Sequence, residues 1–175
     1  MTSAPADFRV DVVKASVLNA EQRVYDYLRH RGWPCKDRRH DHLGWDFEVY
    51  PHPGIRWRLD VKADSYFDGS GRIPFESHHV YPDGGHKLGW GRNEDLDIVA
   101  VVGTNTWRCA FVRVREFRAL VERASKERFM PAGWVPFQQP NLRGGYVTHG
   151  WAVPMDALWT GMAMQHVATL PEGEL

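Results

Sequence analysis

The run Ile55-Arg56-Trp57-Arg58-Leu59-Asp60-Val61-Lys62-Ala63 decides how this chain is read. It follows Gly44-Trp45-Asp46-Phe47-Glu48-Val49-Tyr50 and the turn signal Pro51-His52-Pro53-Gly54. Two strand-like runs joined by a turn therefore carry two carboxylates and a lysine at their ends. Asp60 and Lys62 are two apart, so in a strand both point to one face, about 6.5–7 Å from each other along the chain. Leu59, Val61 and Ala63 point the other way, into a core. An acid and an amine side by side on one face of a buried-looking strand mark a site for a metal and a phosphate.

Asp46 and Glu48 alternate with Trp45, Phe47 and Val49, so both acids share a face of their own strand. A hairpin turning near Pro51–Gly54 brings Asp46 across from residues 59–61, next to Asp60. The parity is left open by the sequence: placing Asp46 opposite Asp60 needs a three-residue loop or a bulge, and Pro53-Gly54 permits several turn types. Two carboxylates brought together repel, and a hard divalent cation is the usual remedy. A strand lysine is commonly an edge device against aggregation. Lys62, however, stands beside the acids in a strand that otherwise looks central, where its ammonium can stabilise charge on a phosphate or orient water.

Outward from this hairpin, a helix is predicted from about Asn19 to Arg31. Asn19 serves as its cap, Gln22 takes the capping-box position and Glu21 lies in the first turn. Gly32 and Pro34 end it. A short strand at Phe8–Val13 belongs to the lead-in. Strands are expected at 44–50, 55–63 and 72–77, and the breakers in 78–93 predict a long surface loop. Asp97–Gly103 is a continuous apolar run, the mark of a strand buried on both faces. Trp107–Val114 reads as a strand and Arg115–Ser125 as a helix. The fold class that follows is α/β: a mixed central β-sheet flanked by helices, in one domain with its core over about 19–125. The segment 131–175 is read as an extension. Its aromatics Trp134, Phe137, Tyr146 and Trp151 form a flap over the sheet edge, with contact to a partner or to bases as the alternative. A short helix at Met155–Met164 and a frayed 170–175 complete it.

Composition bounds the function. With 175 residues, 43% of them hydrophobic, the chain can bury one ordinary core. Lys and Arg number 22 against 22 Asp and Glu, so no global field draws the molecule to nucleic acid or to an anionic membrane. Cys35 and Cys109 are too few for a disulfide scaffold and have no C-x-x-C spacing. Neither a signal peptide nor a membrane span is legible, and a cytoplasmic, reducing setting is the default.

Other candidate residues are weighed in the same way. On a helix, Glu21 shares a face with Val24, Tyr25 and Leu28, so it is either a first-turn acid or a carboxylate reaching the rim of a metal site. Glu76 closes the strand Arg72-Ile73-Pro74-Phe75-Glu76-Ser77 and, taken singly, reads as a surface acid. Arg29, Arg31, Lys36, Arg38 and Arg39 face one acid, Asp37, in a local basic patch that can steer a phosphate chain. Nine histidines raise zinc, but none has helical spacing with a glutamate and no cysteine pair supports them. A DNA contact by His78, His79 or His86 fits them better.

The ordered set Glu21, Gly44-Trp45-Asp46, Asp60-Val61-Lys62, Ile73-Pro74-Phe75-Glu76 and Gly89-Trp90 with Asp97-Ile98-Val99-Ala100-Val101-Val102 resembles the PD-(D/E)xK nuclease superfamily, small phage and bacterial members above all. The resemblance covers residues 19–125. It departs from the pattern at Trp45, where proline is common, and at Asp60, where glutamate is more frequent. It implies a restriction-endonuclease-like core and a Mg²⁺- (or Mn²⁺-) dependent nuclease acting on phosphodiesters, DNA first. Asp46, Asp60 and the Val61 carbonyl are then the metal ligands, Lys62 the catalytic lysine, and Glu21 and Glu76 accessory acids. The implied partners are nucleic acid and a second copy of the chain. The rivals are an inactive nuclease-fold module that binds nucleic acid or protein, and an unrelated α/β domain in which the acids do not converge.

Overall fold

The computed structural model describes residues 6–127, 131–141 and 145–171, with side chains from Ser16 onward. Helix α1 runs over Ala6–His30, about 37 Å long at the standard rise. It takes in both the Phe8–Val13 segment expected as a strand and Asn19 expected as a cap. Between Ala6 and Arg31 there is no Gly or Pro to stop it, and β-branched residues lower helix propensity only slightly. Asn19 consequently lies mid-helix, where its side chain accepts from Arg23 Nε at 3.0 Å. The helix ends as its glycine dictates. Gly32 has φ +71°, and Gly32 and Trp33 donate back to the carbonyls of Arg29 and Leu28 at 2.8 and 3.1 Å.

The chain then forms β1 (Cys35–Asp37), β2 (Phe47–His52), β3 (Ile55–Ala63), α2 (Ser65–Ser70), β4 (Arg72–Val80), β5 (His86–Leu88) and a 3₁₀ turn at Trp90–Arg92. After it come β6 (Ile98–Val102), β7 (Arg108–Arg113), α3 (Val114–Lys126), β8 (Val135–Asn141), β9 (Tyr146–Pro154), α4 (Met155–Thr160) and β10 (Met164–Thr169). Two sheets result. The first has the order β1-β2-β3-β6-β7-β10 and the second β5-β4-β9-β8. The first sheet is mixed: β3 and β6 run parallel, and its other neighbours are antiparallel.

Strand β6 shows why the layers stack as they do. All five of its residues are buried. Ile98, Ala100 and Val102 pack toward Ala20, Val24 and Leu28 of α1, together with Phe47, Val49, Leu59 and Val61. Val99 and Val101 pack the other way, against Phe67, Ile73, Phe75, Phe117, Val121 and Val153 from α2, β4, α3 and β9. Period-2 alternation on a strand buried from both sides thus separates two cores. Full burial of Val24 and Leu28 contributes roughly 1.5–3 kcal/mol each.

Four expectations change. Residues 78–93 are not a long loop, because β4 continues to Val80 and Pro82-Asp83-Gly84 turns the chain into β5, with Tyr81 and Gly85 hydrogen-bonded across the turn. The segment after Pro131 is woven into both sheets: β9 pairs with β4 along its length, and β10 closes the first sheet against β7. The expected helix at 155–164 stops at Thr160, and Met164 already belongs to β10. Leu170 is buried under the α1 core rather than frayed, and 172–175 lie outside the described residues. Among the described residues, no helix is long and apolar enough to cross a membrane.

Candidate active site

The hairpin of β2 and β3 sets the site. Val49 pairs with Trp57 and His52 with Ile55, so β2 carries one more residue than β3 between these pairs. The extra residue falls at Tyr50-Pro51, opposite Arg56. A bulge tolerates proline because its missing N–H leaves no ladder bond open. With Phe47 across from Leu59, the register carried back one residue places Asp46 beside Asp60. Asp46 brackets that neighbour. Its N–H donates to the Leu59 carbonyl at 2.9 Å, and its Oδ2 accepts from the Val61 N–H at 2.7 Å. A strand residue's N–H and C=O leave by the same edge, so the Val61 carbonyl also opens toward Asp46.

Asp60 is only 8% exposed, and Lys62 Nζ lies 2.7 Å from its Oδ2. Both leave β3 on the face away from α1, whereas Leu59 and Val61 enter the α1 core. Burial, and then the Asp60 carboxylate, push Asp46 up to about 7. Burial likewise raises Glu76, opposed by Lys62 and reinforced by Asp60. Glu21 is raised by burial too, with Arg39 opposing and Asp60 adding to it. Burial works against the Lys62 ammonium, but Asp60, Glu76 and Asp46 outweigh it and hold its pKa above the ordinary value. Asp60 and Lys62 thus act on Asp46, Glu76 and Glu21 alike.

Asp46, Asp60, Lys62 and Glu76 line one open cleft of about 840 Å³. Arg38 and Arg39 stand at its side, each already tied to acids. Arg38 reaches Asp41 at 2.9 Å and Glu48 at 3.4 Å. Arg39 meets Asp37 at 2.5 Å and Glu21 at 4.0 Å. The rest of the basic patch goes elsewhere. Arg31 lines a separate cavity of about 210 Å³ with Tyr27, Trp33 and Trp57, Arg29 lies over Tyr25 and Lys36 over Tyr50. Glu48, on the Asp46 face, is held low by the Tyr50 hydroxyl and by Arg38.

The opposite wall of the cleft is formed by His79, His86, Lys87 and Arg92, of which Lys87 and Arg92 carried no sequence signal beyond their charge. His78 turns away from it and stacks on His149, with ring centroids 4.8 Å apart. The Gly89-Trp90-Gly91 turn buttresses this wall. A Cβ at Gly89 would lie 2.5 Å from the Glu76 carbonyl oxygen, and one at Gly91 2.5 Å from the Phe75 ring. Trp45 Nε1 and Trp90 Nε1, from two tryptophans of the cleft, are buried donors with no acceptor among the described residues.

Among the described residues, no three His, Cys, Asp or Glu side chains are arranged to hold a metal ion. The donor set at Asp46 and Asp60 is instead two carboxylates with a backbone carbonyl beside them. All-oxygen donors around a self-repelling acid pair fit a hard cation such as Mg²⁺ or Mn²⁺.

No family model matches the chain, and no curated protein matches it. Among solved structures, the chain is similar to that of a bacterial homing endonuclease, at 16% identity and a TM-score of 0.49, over 61% of this chain and 72% of that one.

Proposed function

We propose that this chain is a metal-dependent nuclease of the PD-(D/E)xK type, with a restriction-endonuclease-like core, that hydrolyses phosphodiester bonds in DNA. The observation that supports it is the bulge at Tyr50-Pro51. It sets Asp46 beside Asp60 at the mouth of a cleft, with Lys62 2.7 Å from Asp60. Asp46, Asp60 and the Val61 carbonyl would hold Mg²⁺ or Mn²⁺. When bound, the cation would acidify water and neutralise charge on the phosphoryl oxygens.

The chain's own residues have distinct parts in this reading. Lys62 is a fixed positive charge, held protonated by its acids, and stabilises charge on the phosphate as it develops. Arg38, Arg39, Lys87 and Arg92 ring the cleft and attract the nucleic-acid backbone, an attraction that weakens as salt rises. Glu21 orients Arg39, and Glu76 keeps Lys62 directed across the cleft. The test is cleavage of labelled linear, plasmid and branched DNA, and of RNA, with and without Mg²⁺. Metal-dependent cleavage supports the reading. Binding without cleavage on every substrate favours the inactive module.

A further inference from the structure

A hydrolytic water needs a proton acceptor, and the Lys62 ammonium is already engaged, 2.7 Å from the Asp60 carboxylate. The β4 register points to another group. Glu76 pairs with Gly150 and His79 with Thr148, with a bulge between Glu76 and His78. Gly150 and Thr148 are two apart on β9, so Glu76 and His79 share a face although they are three apart in sequence. Both line the cleft of Asp60 and Lys62. The His79 ring is positioned from two sides: Nδ1 lies 3.0 Å from Thr148 Oγ1, and Tyr146 packs on it with centroids 4.7 Å apart. Nε2 is the ring nitrogen left for the cleft. Among the described residues, no carboxylate forms an ion pair with it.

We infer that His79 is the proton acceptor for the water that attacks the phosphodiester. This rests on the nuclease reading. In the step, one O–H bond of water breaks and its proton goes to His79 Nε2, while the water oxygen forms the new P–O bond. The bond from phosphorus to the departing sugar oxygen breaks, its electron pair stays on that oxygen, and solvent supplies the oxygen's proton. The imidazolium then returns its proton to solvent, and nothing is oxidised or reduced. The charged groups that act on the ring are Lys87 on β5, Lys62 on β3 and His78 on β4; Glu76 shares its face of β4, and Tyr146 and Thr148 meet it from β9. Burial, with the Lys87 and Lys62 charges behind it, lowers the imidazole pKa, which favours the neutral form that can accept a proton.

The experiment compares wild type, His79→Ala and His79→Asn on labelled DNA in Mg²⁺ across pH 6–9, with and without added imidazole. His79→Ala should lower kcat about 10²–10⁴-fold with KM nearly unchanged, and imidazoles should restore turnover in the order of their basicity. His79→Asn, which keeps a polar group near Thr148, should stay folded and equally slow. Wild-type turnover in either variant, or a loss that no imidazole relieves, overturns the assignment. An active wild type with unaffected variants removes this inference alone, whereas a wild type inert on every substrate removes the nuclease reading beneath it.

Discussion

Asp46 brackets Asp60: its backbone N–H bonds the carbonyl of Leu59 on one side, and its carboxylate accepts from the N–H of Val61 on the other. The Asp46 carboxylate thus stands in for a strand partner just before β2 begins. The adjacent Asp60 makes this arrangement self-repelling.

The acid pair should make the metal-free protein less stable as pH rises. Asp46 has an ordinary value of 3.8 and is pushed to about 7 in the fold. Between these values the folded state binds more protons than the unfolded one, so stability falls with increasing pH over that window. Glu76 and Glu21, both raised, act in the same direction. Melting temperature measured from pH 5 to 8 should decline, and Asp46→Asn should flatten the decline and melt higher than wild type at pH 8. Mg²⁺ should restore more stability at pH 8 than at pH 5.5. A flat wild-type profile would show that the acids do not repel.

Replacing Lys62 should act in the opposite sense on stability. Its ammonium is the cation that the cluster holds, so Lys62→Ala should melt below wild type at pH 8, whereas Asp46→Asn melts above it. Equal shifts in both variants, read by calorimetry, would separate the lysine from the acids.

The basic segment should divide into two functional halves. Arg38→Ala and Arg39→Ala should each weaken DNA binding and lower the slope of log K against log salt by about 1. Arg39→Ala should also cost some stability, because the guanidinium lies over Phe47 and Tyr25. Arg29→Ala and Arg31→Ala, away from the cleft, should leave the slope nearly unchanged. Equilibrium binding across a salt series decides this, and equal slopes for all four would make the patch one continuous surface.

Gly89→Ala should destabilise by about 1–3 kcal/mol, the usual cost of overpacking, because its Cβ would meet the Glu76 backbone oxygen at 2.5 Å. Denaturant unfolding measures it, and an unchanged midpoint would mean that the turn yields without moving β4.

The alternation in Leu59-Asp60-Val61-Lys62 and the apolar run Ile98–Val102 were legible because a strand's period is local. They assigned faces that the structure keeps. The parity of Asp46 was not legible, since it depends on a bulge whose position is chosen by the pairing of Val49 with Trp57 and His52 with Ile55. Asn19 misled as a helix start because a good cap residue is also tolerated mid-helix, where it bonds Arg23. Pro82-Asp83-Gly84 was counted among breakers, although flanked by His79-Val80 and Lys87-Leu88 it also reads as a hairpin turn, which brings His79, His86 and Lys87 to the cleft. Of the last three strands, β9 and β10 pair with β4 and β7, far away in sequence, and β8, next to its partner β9, has a weak pattern of its own. The long-range pairings are tertiary facts that single-sequence periodicity does not carry.

Whether Asp60 and Lys62 carry catalysis is decided by cleavage of a labelled duplex and a branched DNA in Mg²⁺ and in Mn²⁺ by wild type, Asp60→Asn and Lys62→Ala, with far-UV circular dichroism confirming that each is folded. Wild type should cleave in a metal-dependent way, and Asp60→Asn should abolish cleavage through loss of a ligand charge. Lys62→Ala should reduce it by some two to three orders of magnitude, the size of a lost preorganised donor. Wild-type rates in both folded variants would contradict the assignment of Asp60 and Lys62.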